Sequence, residues 1–367
     1  MNERNGVSMT IRNYPRTAFL VLIILLLVCS STFAQSAKII NIKGDSYETD
    51  ELTQEIDVAG ITRLVLRTSG DFSGSITIKS ADEGHKLTYF EHFVAGSLEE
   101  AERFSEYMSV ETAQSGEELF VDANAMYDAP WKGTDLSARL EVELVLPTLI
   151  GVEIHAKRFD ITVAGPFTTV DISNEYGRIK VSDVTEMLRL DSENSRITLS
   201  NLKGDINVST SNNLIRAREI DTQGSMAVFS NEYGVIEISR FAGALKCVTS
   251  YAAIDLRGIR LKGGDSRIST TYGSIDAEIM EIQETNLYLS DDQSNIELTL
   301  PEDVSAEFDL NVDRGGRIHL SGIPVIPVEM ERERLLAHTD DPDSKIKVEI
   351  SGIGTVNISG KRFYGGP

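Results

Sequence analysis

The sequence predicts an all-β protein: a parallel β-solenoid, or flattened β-helix, of about nine two-stranded coils with a β-rich N-terminal cap. Three observations lead to this fold. Isoleucine recurs at intervals of 18 to 22 residues between Ile161 and Ile318. Two short alternations of apolar and polar residues accompany each isoleucine, and a turn of small residues separates them. A repeat this short cannot bury its own apolar face, whereas stacked copies bury a continuous core.

The strand prediction rests on two apolar columns. The first column consists of Ile161, Ile179, Ile197, Ile215, Ile236, Ile254, Ile275, Ile296 and Ile318. Seven positions before these stand Ile154, Ile172, Leu190, Val208, Phe229, Cys247, Ile268 and Leu289. Each repeat therefore holds two strands with alternate residues buried. A β-sandwich also consists of short strands and is the competing prediction, but it has no reason to repeat residues in fixed columns.

The turn between the two strands has its own pattern. The pentapeptide SNEYG occurs at 173–177 and again at 230–234. Its glycine suits a tight corner, because glycine accepts backbone conformations that other residues avoid. The position before it is tyrosine in some repeats and an amide in others: Tyr176, Asn194, Asn212, Tyr233, Tyr251, Tyr272 and Gln293. We expect these side chains to stack or form ladders between neighbouring coils.

Residues 1–34 have the pattern of a secretory signal peptide. Arg4, Arg12 and Arg16 precede the apolar run Ala18–Val28, and small residues follow up to Ala34. The prediction is an exported protein, located in the periplasm, at the cell surface or outside the cell, with no integral membrane span after cleavage. Two alternatives stay open. The uncharged stretch 17–37 is long enough to anchor an uncut chain in a bilayer, and Cys29 offers a site for a lipid.

The remaining chain divides into four predicted regions. Residues 35–137 form the β-rich N-terminal cap with one short helix, and residues 138–322 form the solenoid. Residues 323–344 form a loop insertion with a short helix at 329–336. Residues 345–367 form the closing strands and a tail. Caps are expected because both ends of a solenoid leave backbone hydrogen-bonding groups unpaired.

Composition excludes several function classes. The formal charge of −22 argues against nucleic acid as a partner, since binding to phosphates needs clustered positive charge. Two cysteines allow neither a disulfide framework nor a Cys-rich metal site, and Cys247 falls in an apolar column. The five histidines lack metal-ligand spacing, and no nucleophile motif or phosphate loop occurs. We therefore predict no enzyme, no catalytic residues, no cofactor and no metal ligands.

One charged column is a weak candidate for a binding face. Glu237, Asp255, Asp276 and Glu297 each follow the repeated isoleucine by one residue, so they are expected to point outward on successive coils. Basic residues occupy the other end of the repeat array: Arg178, Lys180, Arg196 and Arg216. Four stacked acids repel one another, which suggests a face for a cation or a basic partner. The alternative is a solvated acidic surface whose charges are screened by water and salt.

Several motifs together resemble a known family. They are LEVELVLP at 140–147, the G-x-I-x-V and S-x-x-Y-G-x-I coils at 152–300, LPED at 300–303, FDLNV at 308–312 and GGRIHLSG at 315–322. In these the chain resembles the bacterial putative-adhesin repeat family, a cell-envelope domain of unknown function. The resemblance covers about 140–360. It implies a β-solenoid, an envelope location and adhesin-like surface binding, and it carries over no site residues.

The sequence thus predicts a non-enzymatic exported protein that binds or scaffolds through flat solenoid faces, with an envelope glycan or a surface protein as partner. The alternative is a carbohydrate-active β-helix enzyme of the polysaccharide lyase or hydrolase type. Such enzymes combine clustered carboxylates with a basic residue on one face, but the short turns here leave no walled cleft. A third class is a structural envelope element without a ligand.

Overall fold

The computed structural model describes residues 38–363, so the predicted signal peptide, its cleavage site and Cys29 lie outside the described residues. The protein is nearly all β. Within the described range 24 strands form one hydrogen-bonded sheet, accompanied by a single α-helix. That helix has eight residues, too few to cross a bilayer.

The N-terminal region contains nine strands and the helix. They are β1 Ile39–Lys43, β2 Ser46–Thr49, β3 Leu52–Glu55, β4 Arg63–Ser69, β5 Ser73–Ser80, β6 Lys86–Val94, α1 Leu98–Ser105, β7 Met108–Ser115, β8 Glu118–Ala125 and β9 Ser137–Leu146. Helix α1 begins after Ser97, whose side chain accepts a hydrogen bond from the backbone N–H of Glu100. Its buried side is formed by Ala101 and Phe104.

The repeat region and the C-terminal region contain fifteen strands. They are β10 Gly151–Lys203, β11 Asp205–Thr210, β12 Ile215–Asn231, β13 Ile236–Thr249, β14 Ile254–Leu261, β15 Ser266–Ser269, β16 Ile275–Ile282, β17 Leu287–Asp291, β18 Ile296–Pro301, β19 Ala306–Val312, β20 Arg317–Ser321, β21 Ile326–Met330, β22 Arg334–His338, β23 Ser344–Ile350 and β24 Thr355–Lys361. The longest strand, β10, runs through three of the predicted repeats.

Parallel pairing between successive repeats produces two ladders. In the first ladder, which precedes the turn of each repeat, the paired residues run Leu190, Val208, Phe229, Cys247, Ile268, Leu289. In the second ladder, which follows the turn, they run Ile197, Ile215, Ile236, Ile254, Ile275, Ile296. All these side chains are buried. The pairs are those that the two sequence columns predict, and they place one continuous apolar core behind both ladders.

The C-terminal strands correct two predictions. Strand β23 lies between β17 and β19, and strand β24 lies between β18 and β20. Ile318 therefore does not neighbour Ile296, because Val356 pairs with both. Residues 345–361 are inner strands of the ladders rather than closing strands. Both edges of each strand are paired there, which satisfies its backbone groups on both sides.

The predicted loop insertion, with its helix at 329–336, is also wrong. Residues 326–338 form an antiparallel hairpin of β21 and β22, and β22 pairs with β19. Strand β22 alternates, burying Leu335 and Ala337 while its other residues are partly exposed. A period of two residues suits a strand that covers a sheet edge, and it overrides the helical propensity of the glutamates and leucines.

Part of the predicted N-terminal cap lies inside the ladders. Strand β4 pairs in parallel with β8 and with residues 151–155 of β10. Strand β5 pairs in parallel with β9 and with residues 159–164 of β10. Antiparallel strands then follow: β7 pairs with β8, and β6 pairs with β9. Residues 63–80 are therefore enclosed between two later segments of the chain, as β23 and β24 are at the other end.

Candidate functional site

Three tyrosines form an exposed stack at the turn between the two ladders. The ring centroids of Tyr233 and Tyr251 are 5.0 Å apart, and those of Tyr251 and Tyr272 are 5.2 Å apart. The planes are nearly parallel, at 8° and 13°. Each of the three residues is 52 to 54% exposed. We call Tyr233, Tyr251 and Tyr272 the tyrosine corner; it confirms the expected stacking of side chains at this turn.

The backbone holds the tyrosine corner in register. The N–H of Tyr233 donates to the carbonyl of Ser211 at 3.0 Å, and the N–H of Tyr272 donates to that of Ser250 at 2.9 Å. Gly273 follows the last tyrosine, and a Cβ at this position would overlap the carbonyl oxygen of Ala252, which follows Tyr251 on the preceding turn. Glycine is thus required by the close approach of successive turns, and this approach brings the rings into contact.

A buried polar column supports the turns from inside. Its members stand five residues before the repeated isoleucine and are all buried: Asn174, Ser192, Thr210, Asn231, Thr249, Thr270 and Asp291. Asn231 Nδ2 donates to the carbonyl of Asn213 at 2.6 Å, while its Oδ1 accepts from the N–H of Gly234 at 3.0 Å. Thr270 and Asn174 bond the neighbouring turn carbonyls in the same way. These bonds satisfy turn backbone groups that would otherwise be buried without partners.

The residues on either side of the corner continue the same column with amides. Asn212 precedes Tyr233, and its Nδ2 donates to Asn194 Oδ1 at 2.8 Å. Gln293 follows Tyr272 in the column. Tyr176 belongs to the first copy of SNEYG and is 47% exposed, but among the described residues its ring stacks on no other. The stack is therefore confined to three successive turns.

The stack determines which atoms a ligand meets. Tyr251 is covered on both ring faces by its neighbours, so its edge and its hydroxyl are what it offers to solvent. A hydrogen bond to Glu232 raises the pKa of the Tyr233 hydroxyl. Because this bond uses the only proton of the hydroxyl, Tyr233 offers its oxygen to a ligand as an acceptor. The corner thus presents a row of phenol hydroxyls on rings spaced at 5.0 and 5.2 Å.

The predicted acidic column is assembled in the second ladder. Glu237 pairs with Asp255, Asp255 with Asp276, and Asp276 with Glu297. Arginines lie among these acids: Arg216 Nε is 2.6 Å from Glu237 Oε2, and Arg257 Nε is 3.0 Å from Asp255 Oδ1. Within residues 38–363 Glu297 has no ion-pair partner.

Arg257 treats its two acidic neighbours differently. Its Nη1 donates to Asp276 Oδ1 at 2.6 Å, and Nη2 donates to the other oxygen, which lowers the pKa of Asp276. Asp255 lacks hydrogen-bond geometry to the guanidinium, and burial together with the charges of Asp276 and Glu237 raises its pKa. The expected repulsion is therefore present at Asp255 and is offset at Asp276.

The described residues contain no group of three or more His, Cys, Asp or Glu side chains that could hold a metal ion. His155 Nε2 lies 2.6 Å from Glu153 Oε1. His92 lies between two acids, with Nδ1 2.9 Å from Glu48 Oε2 and Nε2 3.3 Å from Glu141 Oε1. Cys247 is a free, fully buried thiol whose pKa is raised by desolvation, which makes it unreactive as a nucleophile.

Comparison with known proteins gives a limited result. No family model matches the chain, and no curated protein matches it. Three similar solved structures are 10 to 11% identical to it. A putative cell adhesion protein from Clostridium sporogenes ATCC 15579 covers 85% of this chain and 99% of its own, with a TM-score of 0.21. A putative adhesin from Bacteroides fragilis NCTC 9343 aligns with 84% of this chain over 96% of its own length, with a TM-score of 0.28. A putative adhesin from Parabacteroides merdae ATCC 43184 aligns with 86% of this chain over 97% of its own length, with a TM-score of 0.33. At these scores the likeness carries no argument, so the family resemblance rests on the sequence motifs.

Proposed function

We propose that this chain is an exported, non-enzymatic protein of the bacterial cell envelope that binds a surface glycan, adhesin-like, through the outer side of a β-solenoid. Two parallel ladders support the solenoid. Each repeat adds one strand to each ladder, and successive partners are 18 or 21 residues apart in the chain. A single turn of this kind would leave its apolar side open, which explains why the repeats stack.

The observation that carries the binding proposal is the tyrosine corner. Tyrosine supplies a large contact area and a hydrogen-bonding group with only two rotatable side-chain torsions, so it loses little entropy when it binds. Stacking fixes these torsions before a ligand arrives, which lowers the entropy loss further. Three half-exposed aromatic rings in one row form a contiguous exposed patch, which is typical of a binding site, whereas single exposed aromatic residues are common on any surface.

A glycan fits this row better than a compact ligand. The corner offers ring edges and hydroxyls repeated at a constant interval, and the stacked ring faces are covered. An extended polysaccharide also repeats its hydroxyls at a constant interval, so several equivalent hydrogen bonds can form along the row. Such an array gains its strength from repetition.

The test is a glycan array probed with the full chain and two tyrosine variants. We expect the wild type to bind one or more glycans without forming products. Tyr251→Ala removes the central ring and is expected to weaken that binding roughly tenfold, as loss of a central aromatic contact does elsewhere. Tyr176→Ala removes the tyrosine of the other SNEYG copy and is expected to leave binding unchanged. Equal effects of the two variants, or no glycan binding by the wild type, would contradict the proposal.

A carbohydrate-active β-helix enzyme is the second candidate, and one observation favours it. Asp255 and Asp276 are neighbouring carboxyls whose pKa values move in opposite directions, with Arg257 between them. Such pairs are typical of acid–base catalysis. Here, however, Asp276 is held in a bidentate ion pair and both carboxyls are nearly half exposed on an outer face. Formation of new reducing or unsaturated ends from an array glycan, abolished by Asp255→Asn, would establish this candidate instead.

A further inference from the structure

A basic groove crosses the outer side of the first ladder. Lys246 pairs with Arg267, Arg267 with Tyr288, and Tyr288 with Lys347, so these four side chains stand on successive strands. A second row beside them consists of Val248, Ser269, Ser290 and Glu349. The two rows line a shallow groove of about 500 Å³. We call the groove between these two rows the basic groove, after the charged side chains of Lys246, Arg267 and Lys347.

Two of the three cations of this groove lack acidic partners, although the chain carries 57 acids against 35 bases. Among residues 38–363, neither Lys246 nor Arg267 forms an ion pair. Lys347 lies 3.3 Å from Glu349. The Arg267 guanidinium lies 5.2 Å from the centre of the Tyr288 ring, a contact that positions it without neutralising its charge. Most arginines of the second ladder, by contrast, contact carboxylates. The groove is therefore a positive patch on an acidic protein.

We propose that the basic groove binds a polysaccharide that carries one carboxylate on each sugar. Adjacent strands of the ladder are about 4.8 Å apart, so the groove offers at most one cation per strand. A chain with one charge per ring matches this density, whereas a heavily sulfated glycan carries more charge per ring than the groove can neutralise. The planar guanidinium of Arg267 pairs readily with a carboxylate. Ser269 and Ser290 supply hydroxyls for the uncharged oxygens of the sugars.

Other partners fit the groove less well. The strands beneath it are already hydrogen-bonded on both sides, so a peptide cannot add to them as a further strand. In the acidic column of a second copy two acids are already paired, because Arg216 contacts Glu237 and Arg257 contacts Asp276. The proposal is also independent of the tyrosine corner, because it concerns other side chains and an outer face rather than a turn.

The test measures binding of polygalacturonate to the full chain by calorimetry at low and at physiological salt. Lys246→Glu/Arg267→Glu is expected to weaken binding roughly tenfold or more, because two attractive charges become repulsive. The matched control is Lys180→Glu/Arg196→Glu, which makes the same change of charge at an exposed lysine and arginine that are also not ion-paired within the described residues. The control is expected to bind like the wild type. Lys246→Gln/Arg267→Gln repeats the test without adding negative charge, and thermal melting verifies that each variant is folded.

Each outcome decides the proposal. Loss of polygalacturonate binding in both groove variants, with the control and both melting temperatures unchanged, supports it. Equal loss in the control would mean that net charge alone is responsible and would overturn it. Stronger binding of dextran sulfate or of polyglutamate than of polygalacturonate would overturn it in favour of those partners. Concentration-dependent self-association that the groove variants abolish would overturn it in favour of a second copy. Since the groove variants keep all three corner tyrosines, glycan binding through the corner is scored separately.

Discussion

Glu91 is a buried acid of strand β6 whose side chain contacts Ser105, the last residue of helix α1. Its Oε2 accepts a hydrogen bond from the Ser105 hydroxyl at 2.6 Å, and its backbone N–H donates to Thr49 Oγ1 at 2.9 Å. Burial raises the pKa of Glu91 to about 7, and the bond from Ser105 offsets this only in part. The charge of this carboxyl contributes to the raised pKa of Tyr89, after burial of the tyrosine itself. Near neutral pH the fold therefore carries a partly protonated acid in its N-terminal region.

This shift makes stability depend on pH in a defined direction. A carboxyl whose native pKa exceeds its ordinary value binds its proton more tightly in the native state, so stability is full at acid pH and falls as pH rises from about 4.5 to about 7. A difference of this size corresponds to at most about 3 kcal/mol. We expect Glu91→Gln to remove that part of the fall. Urea unfolding at about pH 5 and about pH 8 measures it, with the exposed Glu102→Gln as control. An equal fall in wild type and Glu91→Gln would contradict the assignment.

Asp255 and Asp276 are neighbours in one column, and we expect their neutralisation to have opposite effects. The lowered pKa of Asp276 means that its charge stabilises the fold, so Asp276→Asn should lower the melting temperature at neutral pH, and this loss should disappear at acid pH. The raised pKa of Asp255 means that its charge is unfavourable, so Asp255→Asn should leave stability unchanged or raise it. Both effects should shrink with added salt, since both side chains are nearly half exposed. Glu297→Gln serves as control, and effects of the same sign at both aspartates would refute this account.

At the scale of the strand, burial of the repeated isoleucine fixes the register of the second ladder. Ile236 is fully buried between Ile215 and Ile254, whereas Ile318 stands in β20, an outer strand of the second ladder, and is only partly buried. We expect Ile236→Asp to unfold the adjacent repeats, because an unpaired buried polar group costs at least ~1–3 kcal/mol and a charged one more. Ile318→Asp should cost much less. Thermal melting compares them, and equal destabilisation would mean that the assigned register is wrong.

The repeat register is predictable from sequence because the alternation of apolar and polar residues in each strand shows which of its side chains are buried. A residue and its partner on the next strand share the same environment, so the columns of Ile236 and of Cys247 are visible as repeats in the amino-acid sequence itself. The stacked tyrosines follow from the same logic. The buried polar column that supports them leaves a sequence signal too, since Asn, Ser or Thr recurs five residues before the isoleucine. That signal is weaker because small polar residues are also common in exposed turns.

The order of the strands at the two ends cannot be predicted in this way. Alternation in residues 345–350 shows that they form a strand, but it does not say which strands lie beside it. Its partners are β17, more than fifty residues earlier, and β19. Many strands of the chain offer a similar apolar row, so the choice between them depends on packing across the whole end of the ladders. The basic groove is predictable only in part for this reason. Lys246, Arg267 and Tyr288 follow one another at intervals of 21 residues, whereas Lys347 joins them only because β23 pairs with β17.

At the scale of the whole molecule, both ends share one arrangement: a segment is enclosed between two others that are not its neighbours in sequence. Residues 63–80 lie between β8–β9 and the start of β10, and β23–β24 lie between β17–β18 and β19–β20. Antiparallel strands β6, β7, β21 and β22 then pair with the outermost ladder strands or with each other. These strands limit edge-to-edge association, a hazard for any long sheet.

The enclosed C-terminal segment, β23 and β24, should therefore control the stability of the strands that pair with it, β17 to β20. Ending the chain after Asp343 removes β23 and β24, and with them the buried side chains Ile346, Val348, Ile350, Val356 and Ile358. Each contributes about 1.5–3 kcal/mol by burial, and their loss also leaves β17 and β19 without their shared partner. Because stacked repeats are stabilised chiefly by their neighbours, we expect the damage to spread only over the adjacent strands.

Hydrogen exchange resolves this expectation by region. In the chain that ends after Asp343, amides of β17 to β22 should exchange fast, while those of β11 to β14 should stay protected, because their own partners remain in place. A chain that ends after Phe363 is the control and should exchange like the full protein. One alternative is built into the sequence: β19 alternates with the same period as β23, so it has the pattern needed to pair with β17 directly. Slow exchange throughout β17 to β22 in the shortened chain would show that this substitution occurs and that the enclosed segment is dispensable.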